Sequence, residues 1–72
     1  MNLIKFLRKR EIEIPAWAKW IAKDKAGHVY AYSERPTLTD FDTWLSQDGK
    51  SECLVIEDQD DFWYNSLTKI KD

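Results

Sequence analysis

The sequence predicts a small α+β domain over residues 1–72. Two antiparallel hairpins would build a four- to five-stranded sheet, joined by a short N-terminal amphipathic helix and a C-terminal helix. Three observations predict it. Strand-like runs flank Asp24-Lys25-Ala26-Gly27 and again Asp48-Gly49, and Gly-bearing turns between such runs signal hairpins. Apolar residues recur at helical spacing near both ends of the chain. Four Trp, three Tyr and three Phe supply core density. A chain this short buries only about 60% of its unfolded surface, and each ring can bury on the order of 150–250 Å².

Residues 1–10 form the first element. Leu3, Ile4 and Leu7 share a helical face beside Lys5, Arg8, Lys9 and Arg10, and Asn2 is placed to cap the start. An amphipathic basic helix can anchor to an anionic membrane surface. It can equally lay its apolar stripe on a sheet and keep its basic side in water, which is the commoner use. Glu11-Ile12-Glu13-Ile14 alternates as a short edge strand does. Pro15 then forces a turn or an edge position, or opens a single helical turn through Pro15-Ala16-Trp17.

The first hairpin is assigned to residues 12–35, with strands over Trp17–Asp24 and His28–Glu34. Gly27 is the residue that adopts positive φ freely. It therefore sits after a type I turn, in a three-residue loop closed by Asp24 and His28. The register follows. Ala22 faces Tyr30 and Trp20 faces Tyr32 on one side; Lys23 faces Val29 and Ile21 faces Ala31 on the other. Arg35-Pro36 ends the second strand, because proline cannot donate to the ladder.

The second hairpin is assigned to residues 41–57, with a two-residue turn at Asp48-Gly49 pairing Gln47 with Lys50. An acidic linker, Glu57 to Asp61, leads to a helix over residues 61–71. Trp63, Leu67 and Ile70 form its stripe, and Asp60 or Asp61 caps it.

Chemistry-bearing sets are sparse. His28 is the only histidine and Cys53 the only cysteine, so neither a zinc set nor an intrachain disulfide is expected. A Cys–His nucleophile pair requires a geometry that no motif here announces. Asp58, Asp60 and Asp61 lack the central Gly and terminal Glu of a calcium loop. No catalytic residues, metal or cofactor are expected, and the chain is read as a non-enzyme. No apolar run approaches the roughly 20 residues of a membrane span. The net charge of −2 hides a polarity: residues 1–33 balance to +4 and residues 34–72 to −6. Such polarity can steer a partner, and the acidic half can present an anionic surface or imitate nucleic acid.

The run IPAWAKWIAKDKAGHVYAYSERP resembles a family of small, uncharacterised proteins encoded by bacteriophages and prophages. The resemblance rests on Ile14, Pro15, Trp17, Ala18, Trp20, Ile21, Ala22, Asp24, Gly27, Val29, Tyr30, Ala31, Tyr32 and Pro36, with Trp63, Ser66 and Leu67 near the end. It covers about four-fifths of the chain, leaves out the first ten residues, and transfers no catalytic residue. It implies phage origin and the cytoplasm of a bacterial host.

The expected function is therefore binding. The chain is read as an interaction protein that modulates a host protein, for example as an anti-defence inhibitor of a CRISPR or restriction system. Trp17, Lys19, Trp20, Lys23, Tyr30, Tyr32 and Trp44 are the candidate partner contacts, since aromatics dominate binding hot spots. One alternative is a nucleic-acid accessory protein using Lys19, Lys23 and the basic first segment. The other is a homo-oligomeric structural protein.

Overall fold

The computed structural model describes residues 3–70. Helix α1 spans Leu3–Lys9. It is followed by β1 (Trp20–Lys23), β2 (His28–Tyr32), β3 (Thr37–Leu38), β4 (Trp44–Leu45), β5 (Ser51–Ile56), a 3₁₀ turn at Trp63–Asn65 and β6 (Thr68–Lys69). The main sheet is antiparallel in the order β5-β2-β1-β6, and β3 and β4 form a separate two-stranded ribbon.

The expected apolar stripe of α1 builds the core. Leu3 and Leu7, one turn apart, are fully buried with Ala18, Ile21, Val29 and Ala31. The proposed cap Asn2 lies outside the described residues. At the other end the chain turns on Glu11, whose φ is +59°. Glu11 N–H donates to Arg8 C=O at 3.0 Å and Ile12 N–H to Leu7 C=O at 2.9 Å. This is the pair of bonds by which a left-handed residue closes a helix, usually with glycine in that place. Arg10 covers the Phe6 ring and pairs with Glu57 at 3.1 Å, tying the helix end to the exit of β5.

Residues 11–14 do not form the edge strand their alternation suggests. Ile12 and Ile14 instead pack against the core from an irregular segment. Pro15 C=O then accepts from Ala18 N–H, making the single turn that was the alternative reading.

The first hairpin has the register read from Gly27: Trp20 opposite Tyr32, Ile21 opposite Ala31, Ala22 opposite Tyr30, Lys23 opposite Val29. Its strands are shorter than expected at their outer ends. Gly27 has φ +101°, and Asp24 N–H donates to His28 C=O at 3.0 Å. A side chain at position 27 would also run into the Glu57 backbone, so the same glycine admits the end of β5 to the sheet. Buried Asp24 locks the loop further, accepting from the His28 backbone N–H at 2.9 Å with its second oxygen 3.2 Å from His28 Nδ1.

The 41–57 hairpin is corrected by the structure. β5 pairs with β2, placing Val55 beside Val29 and Cys53 beside Tyr30, while Trp44–Leu45 pairs with Leu38–Thr37. Gly49 still turns the chain, at φ +81°, but it does not join paired strands. The physical reason is burial. On β2 the 51–56 strand extends the sheet that covers α1, and Leu54 and Val55 pack against the core. An isolated two-stranded hairpin would offer neither benefit.

The 61–71 helix is corrected as well. Asp60 Oδ1 does accept from Phe62 N–H at 2.8 Å, but only one 3₁₀ turn follows before the chain straightens into β6. A helix would leave the outer edge of β1 unpaired. Thr68 and Lys69 cover Ile21 and Trp20, and Ile70 N–H donates to Lys19 C=O at 2.7 Å. Trp63 from the predicted stripe is still buried, now edge-on to Trp44 at 6.2 Å.

Ser66 completes this edge. Asp24 N–H points across the hairpin, so by strand alternation Lys23 N–H points the opposite way. Buried Ser66 Oγ accepts it at 2.8 Å and lies 2.9 Å from Lys23 C=O. One side-chain hydroxyl thus stands in for a strand partner. Trp44 Nε1–H donates to the same Lys23 carbonyl at 3.0 Å, fastening the β3–β4 ribbon over the sheet.

Candidate docking surface

The sheet has two differently used faces. Ile21, Val29 and Ala31 point to α1. Trp20, Ala22, Tyr30 and Tyr32 point the other way, where Tyr30 and Tyr32 stack at 6.1 Å and Trp44 and Leu45 help to roof a recess above them.

This arrangement decides the fate of the expected contact residues. Tyr32 is buried, and that burial, aided by neighbouring Tyr30, Asp24 and Cys53, pushes its phenol well above the ordinary tyrosine range. Lys23 is only 5% exposed, its ammonium 3.7 Å from Asp60. Both side chains are withdrawn from the surface on which the sequence reading placed them. An alternating strand hides half of its side chains whichever face is covered, and here both faces are covered at these positions. Trp17 is half-buried against the core, with Lys50 6.0 Å above its ring. Trp20 is half-buried with Arg35 at 5.2 Å and Lys69 at 5.8 Å from its ring centre, so it is already engaged with cations. Tyr30 is half-buried, between His28 edge-on and Tyr32 stacked. Trp44 is half-buried and committed to Lys23 and Trp63. Of the set, Lys19 presents an exposed side chain, although its backbone serves β2 and β6.

The exposed apolar surface lies elsewhere. Phe41 is 84% exposed, Phe62 68% and Ile56, on β5, 63%, with Leu38, Leu45 and Tyr64 about half exposed. Leu38 and Tyr64 line one groove with Trp44 and Leu67. The loops carrying Phe41 and Phe62 meet at the tip of the first hairpin. Lys25 N–H donates to Asp42 C=O at 3.2 Å, and Lys25 C=O accepts from Asp60 N–H at 3.3 Å. Sequence reasoning assigned Phe41 to a strand and Phe62 to a helix, where both would be partly covered. The available signal was their company: each ring adjoins Asp residues and turn formers.

His28 Nδ1 is held by Asp24, and the exposed Cys53 thiol lies 3.9 Å from Val55 C=O. Among the described residues no cluster of His, Cys, Asp and Glu is arranged to hold a metal ion, and no helix is long and apolar enough to cross a membrane.

Fold and surface together define a small α+β domain: one N-terminal helix, a four-stranded antiparallel sheet and an added two-stranded ribbon. Comparison with protein-family models, curated proteins and solved structures finds no match.

Proposed function

We propose that this chain is a non-enzymatic interaction protein that acts by docking another protein through the exposed rings Phe41 and Phe62 on adjoining loops. Following the resemblance of its sequence, the partner is a host protein in the cytoplasm of a phage-infected bacterium, and the action is inhibition of a defence system of the CRISPR or restriction type. One observation carries the docking reading. Two phenylalanines stand in water on adjoining loops of a domain that buries its other rings more fully. Clustered exposed apolar groups in so small a chain usually mark a partner site. Aromatic anchors also supply most of the energy of such interfaces. The nucleic-acid alternative loses support, because Lys23 is withdrawn into an ion pair with Asp60.

The test is capture from bacterial host lysate by the wild-type chain and by a Phe41→Ala/Phe62→Ala variant. At this exposure the two substitutions change stability by only about 0.5 kcal/mol each or less. The expected result is a protein retained by the wild type and lost by the variant at unchanged thermal stability. Identical capture profiles would sink the reading, and a mobility shift of DNA or RNA at about 50 mM salt would favour the alternative.

A further inference from the structure

We infer that the occupant of this surface is a cationic segment with an apolar face, in the form of a basic amphipathic helix from a foreign protein. The inference rests on the docking reading above and adds the chemistry of the partner.

The first observation is the charge around the exposed rings. Phe41 stands between Asp40 and Asp42, and Phe62 follows Asp58, Asp60 and Asp61. Two lysines reach these loops, and both are engaged: Lys23 with Asp60 at 3.7 Å and Lys25 with Asp42 at 3.6 Å. Asp40, Asp58 and Asp61 have no ion pair among the described residues. Exposed rings with unpaired carboxylates beside them in the chain disfavour polyanions such as nucleic acid or acidic membranes and steer cations inward.

The second observation is preorganisation. Thr39 N–H donates to Thr43 C=O at 3.1 Å, closing a loop with Phe41 at its apex, and Thr39 Oγ1 accepts from Phe41 N–H at 3.1 Å. Phe62 is held through Asp60. Both loops are then fastened to Lys25. Loop backbones held in this way lose little freedom on binding. A helix with apolar groups at i, i+3, i+4 and i+7, flanked by Lys and Arg, can set the former on the rings and the latter on the carboxylates. A second copy of this chain is a poorer occupant. Its own basic helix α1 has spent Leu3 and Leu7 in the core.

The experiment titrates the full chain with three synthetic probes by calorimetry: an amphipathic Leu/Lys helix, its Leu/Glu counterpart and a peptide of residues 1–12. The Leu/Lys helix is expected to bind at least about tenfold more tightly than the Leu/Glu helix, a ratio that a few exposed ion pairs supply. Asp40→Asn/Asp61→Asn should weaken it by about the same factor at unchanged thermal unfolding. Added salt should weaken it too. Equal affinity for the two helices overturns the inference, as does full binding by the Asn variant. Tight binding of the residues 1–12 peptide, with a dimer in sedimentation, also overturns it, by making the occupant a second copy. The same Asn variant in the lysate capture separates the two levels. If Phe41→Ala/Phe62→Ala loses the partner and the Asn variant keeps it, docking stands and the cationic assignment falls. If neither loses it, both fall.

Discussion

Replacing Ser66 by alanine tests how the C-terminal segment is held. Ser66 Oγ accepts the Lys23 N–H at 2.8 Å in a buried position, 43 residues away along the chain. Alanine removes that acceptor. An orphaned buried donor costs about 1–3 kcal/mol. The Lys23 carbonyl is not orphaned, since Trp44 Nε1–H still donates to it at 3.0 Å, and Ser66 N–H still reaches Trp63 C=O at 3.0 Å. The loss is therefore one donor, about 2 kcal/mol. In a domain of this size that lowers Tm by roughly 10 °C. Thermal unfolding followed by circular dichroism gives the total. Amide hydrogen exchange gives the place: Lys23 should lose protection selectively, while Ala22, whose amide faces β2, keeps most of its own. A stability change below about 0.5 kcal/mol, the ordinary range for a neutral surface change, would refute the reasoning. Equal loss of protection at both amides would refute it as well.

Three further outcomes are expected. Glu11→Gly should stabilise the protein by about 0.5–1 kcal/mol, because a non-glycine left-handed residue costs about 1–2 kcal/mol and glycine gives part of that back in unfolded-chain entropy; urea unfolding measures it, and a loss of stability would contradict the helix-closing geometry. Gly27→Ala should cost more than about 3 kcal/mol, since positive φ and the Glu57 backbone both exclude a Cβ; a folded variant with near-native Tm would show that β5 does not approach the loop as described. Tyr32 has its phenol raised by burial, so its contribution is fully present below the unfolded tyrosine value of about 10 and is lost as pH climbs above it. Wild-type stability should accordingly fall more steeply than that of Tyr32→Phe above pH about 10, and parallel pH profiles would argue against it.

The parts of this fold that were legible in the chain are those governed by neighbours a few residues apart. The α1 stripe follows from Leu3 and Leu7 one turn apart, and the β1–β2 register follows from a single glycine and strict alternation. Asp48-Gly49 is as strong a local hairpin signal, yet it misled, because turn chemistry says only that the chain reverses and not which strand receives it. The vacant edges of β1 and β2 are made by distant segments, and β5 and β6 fill them because backbone groups at a sheet edge and apolar side chains beside α1 gain more there than in a local hairpin or helix. The candidate surface divides in the same way. Ring content marked aromatic side chains as the candidate contacts. Which rings face water was decided only by tertiary packing: Trp44 and Leu45 help to roof the recess above Tyr32, and Phe41 and Phe62 stay outside. Exposure is a property of what packs above a residue, and the segments that pack above the first hairpin lie far from it in the chain.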